Sequence, residues 1–239
     1  MGSGAPTRPA GRRESLIEGA VGAAREVEVA FLMADLSGFT ALTETHGDMH
    51  AATVAMRYVE IAQSALDPRA RLVERVGDQV LIVAPDGDGA VRTAMRVFAA
   101  IEREPLFPRL RAGIHGGRVV EQDGRYFGTA LNLTARLTAH ARAGQILCTE
   151  LIAAAAHDLG GSEIQDIGLV RFKNIADPVR VFEVLRRQQR AVLTDPVCRM
   201  QVREQDAPAR LPFGGMTYYF CSFACAETFA ERPEHYASG

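Results

Sequence analysis

VEVAFLMA, residues 27–34, is an unbroken apolar run with no helical period. It predicts a buried, central strand. MHAATVAMRYVEIAQSAL switches to a period near 3.6 and predicts an amphipathic helix with Ala52, Met56, Val59 and Ala62 on its apolar face. RLVERV and QVLIVA are separated only by Gly77-Asp78, the mark of a tight hairpin. DGAVRTAMRVFAAIERE predicts a second helix. RLRAGIHGGRVVEQDG predicts a strand, a break at Gly116-Gly117 and another strand. TALNLTARLTAHAR predicts a helix, GQILCT a strand and VRVFEVL a closing strand. Strands joined by tight turns and covered by helices make an α+β sheet domain.

The pattern divides the chain. Residues 1–26 predict a flexible N-terminal tail, 27–187 the sheet domain, and 188–194 a charged linker. Residues 195–239 form a module too small to be held by an apolar core alone. Three of the four cysteines, Cys198, Cys221 and Cys225, fall in that module, while Cys148 lies in an apolar strand and reads as inert core. A net charge of −2 gives no reason to expect nucleic-acid or anionic-membrane binding. No apolar run approaches the ~18 residues of a membrane span, and no secretory leader pattern is evident. The expectation is a cytoplasmic protein, in which clustered cysteines suggest metal or redox chemistry rather than disulfides.

The chemistry begins at MADLSGFTAL, residues 33–42, where the buried strand runs into a carboxylate and then a turn. Asp35 ends the strand and Asp78 occupies the hairpin turn. If the hairpin lies beside the strand, the two carboxylates converge and suit Mg²⁺ or Mn²⁺. The turn Ser37-Gly38-Phe39-Thr40 opens a helix whose N–H groups can accept phosphate oxygens. Ions and a helix N-terminus together serve phosphoryl chemistry. Asn132 and Arg136, four apart on one helix face beside Leu133 and Leu137, could grip a ribose and a triphosphate. Each signal has a plainer meaning: Asp35 as a helix cap, Gly77-Asp78 as only a turn, and Asn132 with Arg136 as a solvated face.

ADLSGFTAL, ERVGDQVLIVA, RAGIHGGRVV, FGTALNLTARL, AGQILCT and VRFKNIADPVRVFEV occur in the order found in class III nucleotidyl cyclases, the adenylate and guanylate cyclases. The resemblance spans about residues 27–185. It implies a ferredoxin-like α+β fold that works as a homodimer on a nucleoside triphosphate. Asp35 and Asp78 match the two metal-binding aspartates, and the backbone of Leu36, Ser37, Gly38, Phe39 and Thr40 matches the phosphate-cradling turn. Asn132 matches the ribose-orienting asparagine and Arg136 the arginine that stabilises transition-state charge, both acting across the dimer interface. The implied reaction forms a 3′,5′-cyclic nucleotide and pyrophosphate. Two base-reading positions depart from the adenylate pattern: Glu74 stands where adenylate cyclases have Lys and guanylate cyclases Glu, and Arg125 stands where Asp or Cys is usual. A carboxylate can accept from guanine N1–H and N2–H₂, and an arginine can donate to O6. Alternatively, Glu74 and Arg125 from opposite chains pair with each other, and the base stays open between ATP, GTP and another nucleotide.

TDPVCRM…TYYFCSFACAETFAERPEHY, about residues 194–236, resembles the YHS domain, departing at Arg199, where that family usually has Gly. Cys198, Cys221 and Cys225 could bind Zn²⁺ or copper, with His235 or Met200 as a fourth ligand. The expected whole is a nucleotidyl cyclase carrying a metal-binding module that regulates it. The rivals are a catalytically degenerate nucleotide-binding homologue, and a metal-handling protein whose large domain merely dimerises.

Overall fold

The computed structural model describes residues 23–156, 159, 162–186 and 192–237. Most of the expected N-terminal tail and of the charged linker lies outside the described residues. The central strand β1 is Arg25–Leu36, so it begins two residues before the expected boundary. Arg25 belongs to the sheet because it pairs with Glu121 in the ladder and as an ion pair.

Helices α1 (Phe39–His46) and α2 (Asp48–Ser64) follow, then the hairpin of β2 (Arg71–Val76) and β3 (Gln79–Ala84), and α3 (Gly87–Ile101). The long β4 (Leu110–Gln122) turns into β5 (Arg125–Phe127), leading to α4 (Thr129–His140), β6 (Ile146–Thr149) and α5 (Glu150–Ala156). Strands β7 (Ser162–Val170) and β8 (Val179–Arg186) complete one sheet of order β2-β3-β1-β4-β6-β8-β7, with β5 paired to β4. The neighbouring pairs are antiparallel except β4 with β6.

β1 reads as an unbroken apolar run because both its faces are covered. Ala30, Leu32, Ala34 and Leu36 join the core under α1, α2, α3 and α5, while Phe31 and Met33 pack with Tyr126 of β5 and Ala130 of α4. α3 starts where Asp86 accepts a hydrogen bond from the Gly89 N–H at 2.8 Å, an N-cap.

Two expectations are corrected. The buried face of α2 is Ala51, Val54, Tyr58, Val59, Ile61 and Ala62, whereas Ala52 and Met56 are exposed. The face turns because Tyr58 goes fully inside, where its hydroxyl donates to the Ala34 carbonyl at 3.1 Å. Gly116-Gly117 does not break β4; the missing side chains admit Leu151 and Ile152 of α5 on one face and Ala130 of α4 on the other. β8 is the last strand of the sheet domain in chain order, as expected, and β7, bulged at Asp166/Gly168, forms the edge beyond it.

The C-terminal module has β9 (Leu193–Thr194) paired with β10 (Gln201–Val202), the hairpin β11 (Ala209–Phe213) and β12 (Met216–Phe220), and helices α6 (Phe223–Glu231) and α7 (Pro233–Ala237). It is docked on the sheet domain. The Gln201 N–H donates to the Phe107 carbonyl at 2.9 Å, Met200 bridges Pro108, and Cys198, Met200, Phe220 and Phe229 belong to the same apolar core as Leu36 and Ile101.

Candidate active site

The register of the sheet brings the two acids together. Asp35 faces Gln79 across the β1–β3 ladder, so the β2–β3 turn holding Asp78 lies at the end of β1. Asp78 accepts a hydrogen bond from the Leu36 N–H, and burial, with a smaller push from the nearby Asp35 charge, raises its carboxyl above the ordinary range. On the other side of β1, Asp35 faces Arg111 of β4. That guanidinium grips the carboxylate at both oxygens, Nε to Oδ1 at 2.6 Å and Nη2 to Oδ2 at 3.0 Å. Sequence patterning missed Arg111, because only strand pairing reveals what stands opposite Asp35. A carboxylate has about four lone-pair positions and a bidentate arginine uses one on each oxygen. Two neighbouring carboxylates with lone pairs to spare therefore fit a hard divalent cation.

The turn after β1 supplies donors. Gly38 has φ +82°, a left-handed conformation suited to glycine, and it opens α1 without a side-chain cap. Within Leu36–Thr40 the N–H groups are not equal. Leu36 donates to Asp78 and Ser37 to the Arg109 carbonyl at 2.7 Å, leaving those of Phe39 and Thr40 in the first turn of α1 for an anion. Arg199 of the C-terminal module lies over this turn, since a Cβ built on Gly38 would stand 2.4 Å from the Arg199 Cβ.

Asn132 and Arg136 ride on α4. That helix is pressed onto the sheet because Gly113 leaves room for it: a Cβ there would meet the Thr138 nitrogen at 2.5 Å and the Thr134 carbonyl at 2.7 Å. The Thr138 hydroxyl also donates to the Met33 carbonyl at 3.1 Å. Thr134, Leu137 and Thr138 face inward, leaving Asn132 and Arg136 exposed and four residues apart. Among the described residues, no hydrogen bond or ion pair joins either to Asp35 or Asp78. One chain thus brings the acids and the turn together and leaves the amide and guanidinium exposed on α4.

Glu74 and Arg125 line one cleft of about 490 Å³ with Val73, Leu81, Tyr126 and Phe127. Glu74 follows a bulge between Leu72 and Glu74 in β2, which re-aims the side chain. Arg125 follows an Asp123-Gly124 turn with φ +51° and +75°, the hairpin signal that joins β4 to β5. The two sit on the same chain, which removes the need for opposite chains to bring them close.

In the C-terminal module, Cys198, Cys221 and Cys225 are buried with sulfurs 3.3 Å (Cys198–Cys221) and 3.5 Å (Cys221–Cys225) apart. Hydrogen bonds from Cys198 and Cys221 hold the Cys225 thiol well below the usual range, so the cluster favours a thiolate. Buried Asp195 accepts from the N–H groups of Val197 at 2.8 Å and Cys221 at 2.8 Å, fixing both cysteine loops. His235 does not belong to the group of close His and Cys donor atoms. His235 stacks edge-on against Tyr236, and Met200 is buried at the bridge to Pro108. His46, the last residue of α1, lies beside the three sulfurs, with all four candidate donor atoms within 4.8 Å of one another. No local spacing could have revealed a neighbour so remote in the chain. Cys148 is buried in β6, where burial pushes its thiol up to about 12, in keeping with inert core.

Residues 193–239 match the family model described as YHS domain. The chain is 33% identical over 166 residues to the pH-sensitive adenylate cyclase MT1302 of Mycobacterium tuberculosis, covering 68% of this chain and 41% of that protein. It is 36% identical over 115 residues to an adenylate cyclase of Streptomyces griseus, covering 48% of this chain and 29% of that one. The chain thus spans less than half the length of these relatives. Among solved structures, the adenylyl cyclase CyaB from P. aeruginosa superposes with a TM-score of 0.58 at 20% identity, over 70% of this chain and 100% of that one. An adenylate/guanylate cyclase/hydrolase from Silicibacter pomeroyi superposes with a TM-score of 0.58 at 26% identity, over 68% and 99%. Among the described residues, no helix is long and apolar enough to cross a membrane.

Proposed function

Because this chain joins a class III nucleotidyl cyclase catalytic domain to a YHS domain, we propose that it converts a purine nucleoside triphosphate to the 3′,5′-cyclic nucleotide and pyrophosphate. The observation that carries this reading is the convergence of Asp35 and Asp78 beside the left-handed turn at Gly38. The ribose 3′-oxygen attacks the α-phosphorus, losing its proton as the bond from that phosphorus to the pyrophosphate oxygen breaks. Asp35 and Asp78 would hold Mg²⁺ or Mn²⁺, which lowers the pKa of the 3′-hydroxyl and neutralises the leaving group. The free N–H groups of Phe39 and Thr40, at the positive end of α1, take phosphate oxygens. Arg111 holds the Asp35 carboxylate in place through both oxygens. Asn132 and Arg136 complete the site of a second copy, consistent with their exposure on α4. Glu74 and Arg125 read the base, with a donor and acceptor pattern that favours guanine.

The test is to incubate the purified full chain with Mn²⁺ and each of the four common nucleoside triphosphates and to identify cyclic product by mass. Product from GTP or ATP that disappears in Asp35→Ala bears the reading out; absence of product from all four overturns it. One observation favours a second reading. Arg111 already neutralises Asp35, and a homologue that binds nucleotide without turnover could keep that pair permanently. Tight triphosphate binding without product would select it.

A further inference from the structure

We propose that His46 of the catalytic domain is a metal ligand, completing with Cys198, Cys221 and Cys225 a Cys₃His centre that clamps the YHS module onto α1. The inference deepens the metal-binding reading of residues 193–239 and rests on it. His46 Nε2 lies 3.6 Å from the Cys221 sulfur and 3.7 Å from the Cys225 sulfur. Tetrahedral zinc, with bonds of about 2.3 Å to sulfur and 2.0–2.1 Å to nitrogen, sets ligand edges of about 3.8 Å between sulfurs and about 3.5 Å from sulfur to nitrogen. The sulfur pairs at 3.3 Å and 3.5 Å need only a small outward adjustment to receive such an ion. Three thiolates and an imidazole are a donor set for a borderline or soft cation and a poor one for Mg²⁺ or Ca²⁺. Asp195 supplies the supporting hydrogen bonds that closed structural sites require.

The position of His46 gives the ion a route to the nucleotide site. α1 is eight residues long, about 12 Å at 1.5 Å per residue. It carries His46 at its C-terminal end and the phosphate-facing turn at its other end. The residue next to ligand Cys198 is Arg199, which packs directly on Gly38 of that turn. A bound ion therefore fixes α1 at both ends, once through His46 and once through the Cys198-Arg199 loop.

The experiment uses the full chain, reduced, stripped of metal and titrated anaerobically with Zn²⁺ and Co²⁺. Wild type should bind one ion and show the visible spectrum of tetrahedral Co²⁺ with thiolate charge transfer. H46A should keep the charge-transfer band, shift the Co²⁺ ligand-field bands and lose at least 10–100-fold in Zn²⁺ affinity, the size seen even for supporting residues of metal sites. H50A is the control, since His50 stacks 5.3 Å from the His46 ring and is not among the four donors; it should match wild type. Zn²⁺ should slow amide hydrogen exchange over residues 39–46 in wild type and not in H46A. Unchanged affinity and spectrum in both H46A and H46A/H50A overturn His46 as a ligand. Unchanged exchange in metal-loaded wild type overturns the clamp. A full chain that binds no ion ends the metal reading of the module as well, and none of these outcomes touches nucleotide turnover, which is measured separately.

Discussion

Arg111 holds Asp35 by two parallel hydrogen bonds of 2.6 Å and 3.0 Å from the neighbouring strand. Asp78, the other acid of the candidate site, is close enough for the Asp35 charge to raise its carboxyl. In the metal-free chain, one guanidinium thus offsets two acids.

Arg111→Ala should leave those acids facing each other with no cation between them. The pair is partly exposed, with side-chain exposures of 34% and 13%, so the loss should be about 1–3 kcal/mol, below that of a fully buried pair. Mn²⁺ should recover more stability in the variant than in wild type. Urea unfolding of both proteins with and without Mn²⁺ measures this; equal Mn²⁺ effects would count against cation binding at the pair.

Asp78 gives a pH dependence whose sign follows from its raised folded-state pKa, caused first by burial and then by the Asp35 charge. The native chain binds the proton more tightly than the unfolded one. Its stability contribution therefore falls as pH rises from the ordinary carboxylate value through the raised one, and stays lost above it. Asp78→Asn should be more stable than wild type above that window in metal-free buffer, while losing turnover. A denaturation series across pH checks the crossing, and a variant less stable than wild type at neutral pH would contradict it.

If each site of the proposed dimer takes Asp35 from one chain and Arg136 from the other, inactive variants should complement. Asp35→Ala and Arg136→Ala should each lose about 2.7–4 kcal/mol of transition-state stabilisation, the cost of removing one charge stabiliser. Mixed and allowed to exchange subunits, they should regain about one quarter of wild-type activity, since half of the dimers are mixed and each has one intact site. Continued inactivity of well-folded mixed dimers would place both residues in a single-chain site.

Gly38 and Arg199 form a fourth test. Gly38 has φ +82° and lies under the Arg199 Cβ, while Arg199 itself has φ +66°. Gly38→Ala should cost about 1–3 kcal/mol from strain and overlap. In an Arg199→Gly background the overlap is gone and the cost should drop, giving a coupling of about 0.5 kcal/mol or more. Additive effects in thermal unfolding would show that the two loops do not press on each other.

Local patterning made much of the catalytic domain legible. The apolar run of β1, the Gly77-Asp78 turn and the four-residue spacing of Asn132 and Arg136 each report on structure within a few residues. What stayed hidden depends on partners distant in the chain. Arg111 acquires meaning only from the strand register that sets it against Asp35, and His46 only from a module that returns to α1. Tyr58 misled the helix reading because a ring with a hydroxyl looks half polar in sequence, yet its one polar atom is satisfied by a backbone carbonyl inside. Gly116-Gly117 looked like punctuation because sequence cannot tell a bend from a place where helices must come close. Arg199 stood out as a departure from the usual YHS glycine, and its left-handed backbone shows the conformation that a glycine would hold without strain.

The continuous core beneath the two modules has a practical consequence for anyone trimming this protein. Ile101, Phe107 and Leu110 share their apolar surroundings with Val197, Met200 and Val202. A chain shortened before Leu193 would expose to water a greasy scar on the sheet domain, inviting clumping. Lost turnover in such a fragment would then say nothing about whether the tail acts as a brake or a throttle, and point substitutions at the sulfurs and the imidazole are the cleaner instruments.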